Sequence, residues 1–371
     1  MKFSKLFLVA CASALFFASC SDDDDNLGDN KYVPLGSYDS GILVLNQGGF
    51  GHGDASLSYI SFDLGTFQNN IFSLVNDGAD LGDTGQDVGF NGDLAYVVLN
   101  ASNKIEIVNR YTLVSVGTIA AGLDNPRYIA FYNGKGYVTN WGDGGVTTDD
   151  YVAVIDLSSN TVTANIPVIE GPERIIENGG KLYVAQTGGY GYGNKISVID
   201  PGTNAVSTTI TVGDVPNAMQ IKDNTLYVSC GGKPSFADVE TAGSLVRINL
   251  ADNTSSTMAF AAATQHPANL VINDNNLYYT VDDGIYKMAL TSGELPAAPA
   301  FTTTEQGVYG VYSFAVKNNR IYVGDAVDYM SNGKVYVYTK GDTNAGETGA
   351  IGTLESSYTV GVIPAGFYFN F

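Results

Sequence analysis

One short phrase recurs along this chain and constrains its fold more than any other feature. It consists of an apolar strand that carries a Tyr-Val or closely similar pair, with Gly- and Asn-rich turns around it. Its instances are Ile42-Leu43-Val44-Leu45, Ala95-Tyr96-Val97-Val98, Gly136-Tyr137-Val138-Thr139 and Leu182-Tyr183-Val184-Ala185. Leu226-Tyr227-Val228-Ser229, Leu277-Tyr278-Tyr279-Thr280 and Ile321-Tyr322-Val323-Gly324 complete the set. The units start roughly 41 to 53 residues apart, which is the period of a four-stranded propeller blade. Seven units therefore predict an all-β, seven-bladed β-propeller over residues 41–371.

The pattern inside each unit agrees. A second strand follows the first, as in Ile196-Ser197-Val198-Ile199-Asp200. Asp63, Asn109, Asp156, Asp200 and Asn249 close these strands, where a short polar side chain bonds its own backbone two residues on. Repetition in register makes these acids turn formers and not paired catalysts. A third strand comes next, such as Val206 to Val212, and a loop ending in Pro opens the following unit (Pro126, Pro172, Pro216, Pro267). Alternation is of period two, and no segment of the mature chain shows a helical period.

With strands labelled A to D outward from the axis, the first unit begins at its B strand. The chain ends in Pro364-Ala365-Gly366-Phe367-Tyr368-Phe369-Asn370-Phe371, which has the form of an A strand with nothing after it. The C-terminal strand is thus predicted to close the first blade, hiding two sheet edges. The recurring tyrosines are assigned to packing between blades.

The phrase Tyr137-Val138-Thr139-Asn140 and its repeats resemble the YVTN, or YncE-like, family of propellers. At the N-terminus, Lys2 and Lys5 precede an apolar run from Leu6 to Phe17, which is too short to span a bilayer and reads as a secretory signal. Phe17-Ala18-Ser19-Cys20 resembles a lipobox, with Phe17 where Leu is usual, which implies lipidation of Cys20. Asp22 to Asp25 resemble the acidic export signal of Bacteroidetes surface lipoproteins. The expected organisation is a signal peptide at 1–19, a lipidated acidic tether at 20–40 and the propeller at 41–371, anchored on the outer face of the outer membrane. Only Cys230 then remains as a thiol, so no intramolecular disulfide is expected. The net charge of −20, with 18 basic against 38 acidic residues, excludes a nucleic-acid partner.

In this topology the B-to-C and D-to-A connections share one rim of the channel. The first set is long and irregular, carrying Phe50, Trp141, Tyr190, Tyr192, Phe236 and Tyr329 among glycines. D-to-A segments add Arg127, Tyr128, Arg174, Asn217, His266, Asn269, Tyr309 and Tyr312, while Asn46, Asn140, Gln186 and Asp325 end B strands near the mouth. By contrast the opposite turns, such as Asn133-Gly134, Asn178-Gly179, Asp223-Asn224 and Asn318-Asn319, are short and interchangeable. Variation loaded on one face of a repeat protein marks the binding face.

Sharper motifs fail. Gly188-Gly189-Tyr190-Gly191-Tyr192-Gly193 lacks the Lys-Ser/Thr end of a phosphate loop. Asp143 to Asp150 lack EF-hand spacing. Two histidines, His52 and His266, give little material for a zinc site or a Ser-His-Asp triad, and no catalytic residue, metal or cofactor is assigned. A surface lipoprotein built of YVTN repeats resembles the corrinoid-capturing BtuG group of Bacteroidetes. That resemblance implies cobalamin as bound ligand and a TonB-dependent outer-membrane transporter as partner. A surface propeller for a glycan or partner protein, and a lactonase- or quinoprotein-like enzyme, are the alternatives.

Overall fold

The computed structural model describes residues 34–308, 310–341 and 349–371. The expected signal peptide, Cys20 and the acidic run lie outside the described residues, as does Tyr309. The folded unit runs from Leu35 to Phe371.

Seven four-stranded antiparallel sheets make up this unit. Blade 1 combines the C-terminal strand Pro364–Asn370 with Gly41–Asn46, Ser56–Ser61 and Phe67–Gln68. The A and B strands of the next blades are Gly85–Asn91 and Leu94–Leu99, Pro126–Tyr132 and Lys135–Asn140, and Pro172–Asn178 and Lys181–Gln186. Blades 5 to 7 begin with Pro216–Lys222 and Thr225–Cys230, Pro267–Asn273 and Asn276–Val281, and Ser313–Lys317 and Arg320–Asp325. Each A strand packs against the A strand of the next blade, and the C-terminal strand contacts those of blades 2 and 7, so the ring is closed. This is the seven-bladed β-propeller that the repeat predicts.

The B strands explain why the blades stack. Alternate residues of a strand point to opposite faces of its sheet. In blade 1, Leu43 and Leu45 enter a cluster shared with blade 2, while Ile42 and Val44 enter one shared with blade 7. The same alternation fills seven apolar clusters, one at each blade-to-blade interface. Tyrosines of the repeat lie in these interfaces: the Tyr96 ring is 5.1 Å from Phe131 of blade 3, and Tyr322 is 5.5 Å from Phe369 of blade 1.

Turn chemistry follows the sequence. Asp63, Asn109, Asp156, Asp200 and Asn249 each accept a hydrogen bond from the backbone N–H two residues on, at 2.8–3.0 Å. The A-to-B turns Asn133-Gly134, Asp223-Asn224 and Asn318-Asn319 hold positive φ at both positions, as two-residue hairpins require. In blade 4 the pair is Gly179-Gly180, because Asn178 already pairs with Lys181.

Two expectations are corrected. A short helix, Ile71–Val75, precedes blade 2, and a single turn is too brief to show a period in sequence. The final residues assigned to the tether, Leu35 to Ser40, belong to the folded unit. Tyr38 is buried, its N–H donates to Tyr111 O at 2.9 Å, and its hydroxyl donates to Gln68 at 3.1 Å.

That segment joins the closure of the ring. Asn370 is fully buried and donates to Tyr38 O at 2.8 Å and Arg110 O at 2.7 Å, and it accepts from Arg110 Nε at 2.6 Å. Asn370→Ala leaves the Tyr38 and Arg110 carbonyls and a guanidinium without that partner, so a loss of about 3 kcal/mol is expected from urea unfolding. Thr208→Ala, on an exposed outer strand, is expected to stay within about 0.5 kcal/mol. Deletion of 366–371 is expected to cause aggregation, and a truncated chain that melts like the parent contradicts closure by the C-terminus.

Candidate functional site

The channel is lined from a repeated irregularity. In six blades the A strand breaks register as it begins: at Gly85/Asp87, Pro126/Ile129, Pro172/Ile175, Pro216/Ala218, Ala268/Val271 and beside Pro364. A bulge of this kind re-aims side chains. Its residues are Gln86, Arg127 and Tyr128, Glu173 and Arg174, Asn217, and Asn269 with Leu270. The residues expected in D-to-A loops at 127, 128, 174, 217 and 269 are therefore strand residues, held on a rigid element.

They form a connected polar layer. Arg127 makes a bidentate pair with Glu173, both bonds at 2.9 Å, and its guanidinium lies 4.3 Å over the Trp141 ring. Tyr128 accepts from Gln86 at 2.8 Å, and Arg174 lies 4.0 Å over its ring. Asp87 accepts from Ile129 N–H at 3.0 Å and from the Tyr368 hydroxyl at 3.1 Å. Burial pushes the Asp87 carboxyl above its ordinary range and raises the Tyr128 and Tyr368 hydroxyls as well. Tyr312 donates to Gln47 at 2.6 Å, and burial pushes its hydroxyl up to about 12.

Above this layer two cavities open on the expected rim. One, of about 400 Å³, is lined by Gln47, Phe50, Asn100, Asn125, Trp141 and Tyr190, among others. The other, of about 340 Å³, is lined by Arg174, Asn217, Asn269, Tyr312 and Tyr329, among others. The Tyr312–Gln47 hydrogen bond links their walls. Below, a channel cavity of about 300 Å³ runs past Arg174, Gln220, Phe367 and Tyr368.

The aromatic loop residues divide by exposure. Phe50 is 78 % exposed, Tyr190 79 % and Phe236 85 %, with Tyr192 and Tyr329 also exposed. Trp141 is less free: Arg127 covers one face, Tyr190 meets its edge at 6.0 Å, and its indole N–H donates to Pro172 O at 3.0 Å. The loop bearing Tyr190 and Tyr192 is shaped by close backbone approach. Gly188 has φ +94°, and a Cβ there would fall 2.3 Å from Gly193 N. His266 has both ring nitrogens engaged, with Gly231 O at 2.8 Å and Glu240 Oε1 at 3.1 Å.

Four expected residues do not reach the mouth. Asn46, Asn140, Gln186 and Asp325 are buried beneath it. Asn46 donates to Ser58 at 2.9 Å, Gln186 donates to Ser197 at 3.0 Å, and Asn140 accepts from Asp124 N–H at 3.0 Å. Asp325 accepts from Val327 N–H at 2.9 Å. Strand alternation aims these side chains between sheets, where they secure the ends of the B strands. Residues that sequence reasoning missed are Gln47, Gln86, Asp87, Asn100, Asn125 and Glu173. Asn100 donates to Asn125, and its place just after a repeat strand was the available signal.

Among the described residues, no group of three or more His, Cys, Asp or Glu side chains is arranged to hold a metal ion. Cys230 is buried, which pushes its thiol up to about 12. Asp150, at the end of the Trp141 loop, accepts from Gly171 N–H at 2.9 Å, and desolvation pushes its carboxyl up to about 6. A raised carboxyl binds more protons folded than unfolded between pH about 4 and 6, so its contribution to stability falls as pH rises through that window. Asp150→Asn keeps an acceptor and removes the charge. Melting curves across pH 4–7 are expected to decline less steeply for the variant, and parallel curves contradict this assignment.

Known proteins place the chain by family and fold. No curated protein matches its sequence. A protein from Lactobacillus plantarum superposes with TM-score 0.62 at 13% identity, covering 89% of this chain and 98% of that one. BamB from Moraxella catarrhalis gives 0.50 at 13% identity, covering 86% and 83%, and dihydro-heme d1 dehydrogenase NirN in complex with DHE gives 0.54 at 13%, covering 90% and 76%. At these identities the likeness is one of fold. Residues 40–344 match the model of DUF5074, a domain of unknown function, and the chain belongs to that family.

Proposed function

We propose that this propeller is a lipid-anchored capture protein of the cell surface, that its mouth takes a broad ligand of the corrinoid class, and that it catalyses no reaction. The observation that carries the reading is the pair of linked mouth cavities, ringed by exposed aromatics and amides from several blades. A corrin is an apolar macrocycle fringed with amides. Tyr190, Tyr192, Tyr329 and Phe50 supply faces for the first feature, and Asn217, Asn125 and Gln47 supply partners for the second. Asn217 borders the mouth cavity, and its Oδ1 is buried with no hydrogen-bond partner among the described residues. The resemblance of the repeats and N-terminal signals to corrinoid-capturing lipoproteins points the same way, with a TonB-dependent transporter as the receiving partner.

Calorimetric titration with cyanocobalamin tests the ligand. Tyr190→Ala and Tyr329→Ala are each expected to weaken binding by about 1–3 kcal/mol. Asn178→Ala, on the opposite face, is expected to leave it unchanged. Because both His266 nitrogens are engaged, His266→Ala is expected to weaken aquo- and cyano-corrinoid binding equally. No heat and no competition at micromolar concentration refute the corrinoid reading.

The anchor has a separate test. Cys20→Ala is expected to release the protein from membranes. Replacing Asp22 to Asp25 by Ala is expected to keep it bound but shielded from added protease. Equal protease sensitivity of the two forms contradicts surface export.

A further inference from the structure

Two arginines stand side by side in the channel, and the structure treats them differently. Arg127 is paired with the carboxylate of Glu173 through two hydrogen bonds. Arg174 has one face on the Tyr128 ring, and among the described residues its N–H groups meet no acceptor. Asp87 attracts Arg174, yet among the described residues no ion pair joins them, and its oxygens accept from the Ile129 N–H and the Tyr368 hydroxyl. Arg174 lines both the mouth cavity of about 340 Å³ and the channel cavity of about 300 Å³ beneath it.

A guanidinium is a fixed fork of donors that matches two oxygens of a carboxylate or phosphate. Drawing it from water without such a partner is costly, and burial on an aromatic face strengthens its attraction for an anion that reaches it. Asn217, Asn269 and Tyr312 border the same cavity. The pairing of Pro172 with Gln186 and of Ile175 with Val184, on either side of the bulge, fixes the backbone that carries Arg174.

We infer that Arg174 is the recognition group of an oxyanion site at the head of the axial channel, open from the mouth and taking a carboxylate or a phosphate. This site does not depend on the corrinoid reading. Its occupant is a free anion or an anionic group carried by the ligand of the mouth.

The test is titration of the intact mature protein with inorganic phosphate, and separately with acetate, at ionic strength held constant with chloride. Saturable binding of at least one anion is expected. Arg174→Gln is expected to weaken it at least tenfold, and Arg174→Lys, which keeps a charge but not the fork, is expected to fall between. Should Arg174→Gln fail to fold, phenylglyoxal labelling of the wild-type protein decides. Arg174 is expected to react, the anion to protect it, and Arg127 to stay unmodified behind Glu173. Equal affinity in wild type and Arg174→Gln overturns the inference, as does labelling that neither anion reduces. Competition with cyanocobalamin separates the two sources: mutual exclusion places the anionic group on the mouth ligand, and independent binding identifies a free anion. Absence of cyanocobalamin binding alone refutes the corrinoid reading and leaves this site standing.

Discussion

Every blade of this protein is a sheet that is apolar on both faces, and that constraint organises the rest. A two-sided apolar sheet of four strands cannot rest against one partner; it needs a neighbour on each side. Seven such sheets satisfy one another only by closing into a ring. The seven interface clusters are the physical content of that closure, since Leu43 and Leu45 look to blade 2 while Ile42 and Val44 look to blade 7. Ring closure then depends on the last strand, which supplies the innermost pairing of blade 1 and places Asn370 against both Tyr38 and Arg110.

Closure brings the A strands around one axis, and the bulges at their starts determine what the axis presents. A regular A strand would aim alternate residues between the sheets, where the apolar clusters lie. The extra residue after Pro126, Pro172 and Pro216 turns Arg127, Arg174 and Asn217 toward the channel and its mouth. Polar side chains thereby line an axis whose surrounding layers are apolar. Their bonds to one another, above all Arg127 with Glu173, offset the cost of removing them from water.

The two faces of the ring differ because their connections differ. The A-to-B turns on one face are of two residues and leave little surface to vary. On the other, loops of uneven length raise Phe50, Tyr190, Phe236 and Tyr329 above the cavities, and glycines such as Gly188 permit the tight backbone approaches that shape them. Binding at this face costs little in fold stability, for the aromatic tips contribute little to the interface clusters. The buried polar layer just beneath belongs to both concerns, which is why Trp141 serves as a packing partner of Arg127 as well as a wall of the mouth.

The sequence by itself determined the blade count, the closing C-terminal strand and the Asx turns at Asp63 to Asn249. Each of these is a local pattern repeated at a fixed period, so strand alternation and turn chemistry suffice to read it. Tertiary structure alone decided which side chains meet. It sent Asn46, Asn140, Gln186 and Asp325 beneath the rim and engaged both nitrogens of His266. It also drew Glu173 to Arg127 from a neighbouring blade, and left Arg174 with an aromatic face and no acceptor among the described residues. The reason is geometric: a one-residue bulge reverses where a side chain points, and contacts across blades join residues some forty positions apart, so neither leaves a mark in the local pattern.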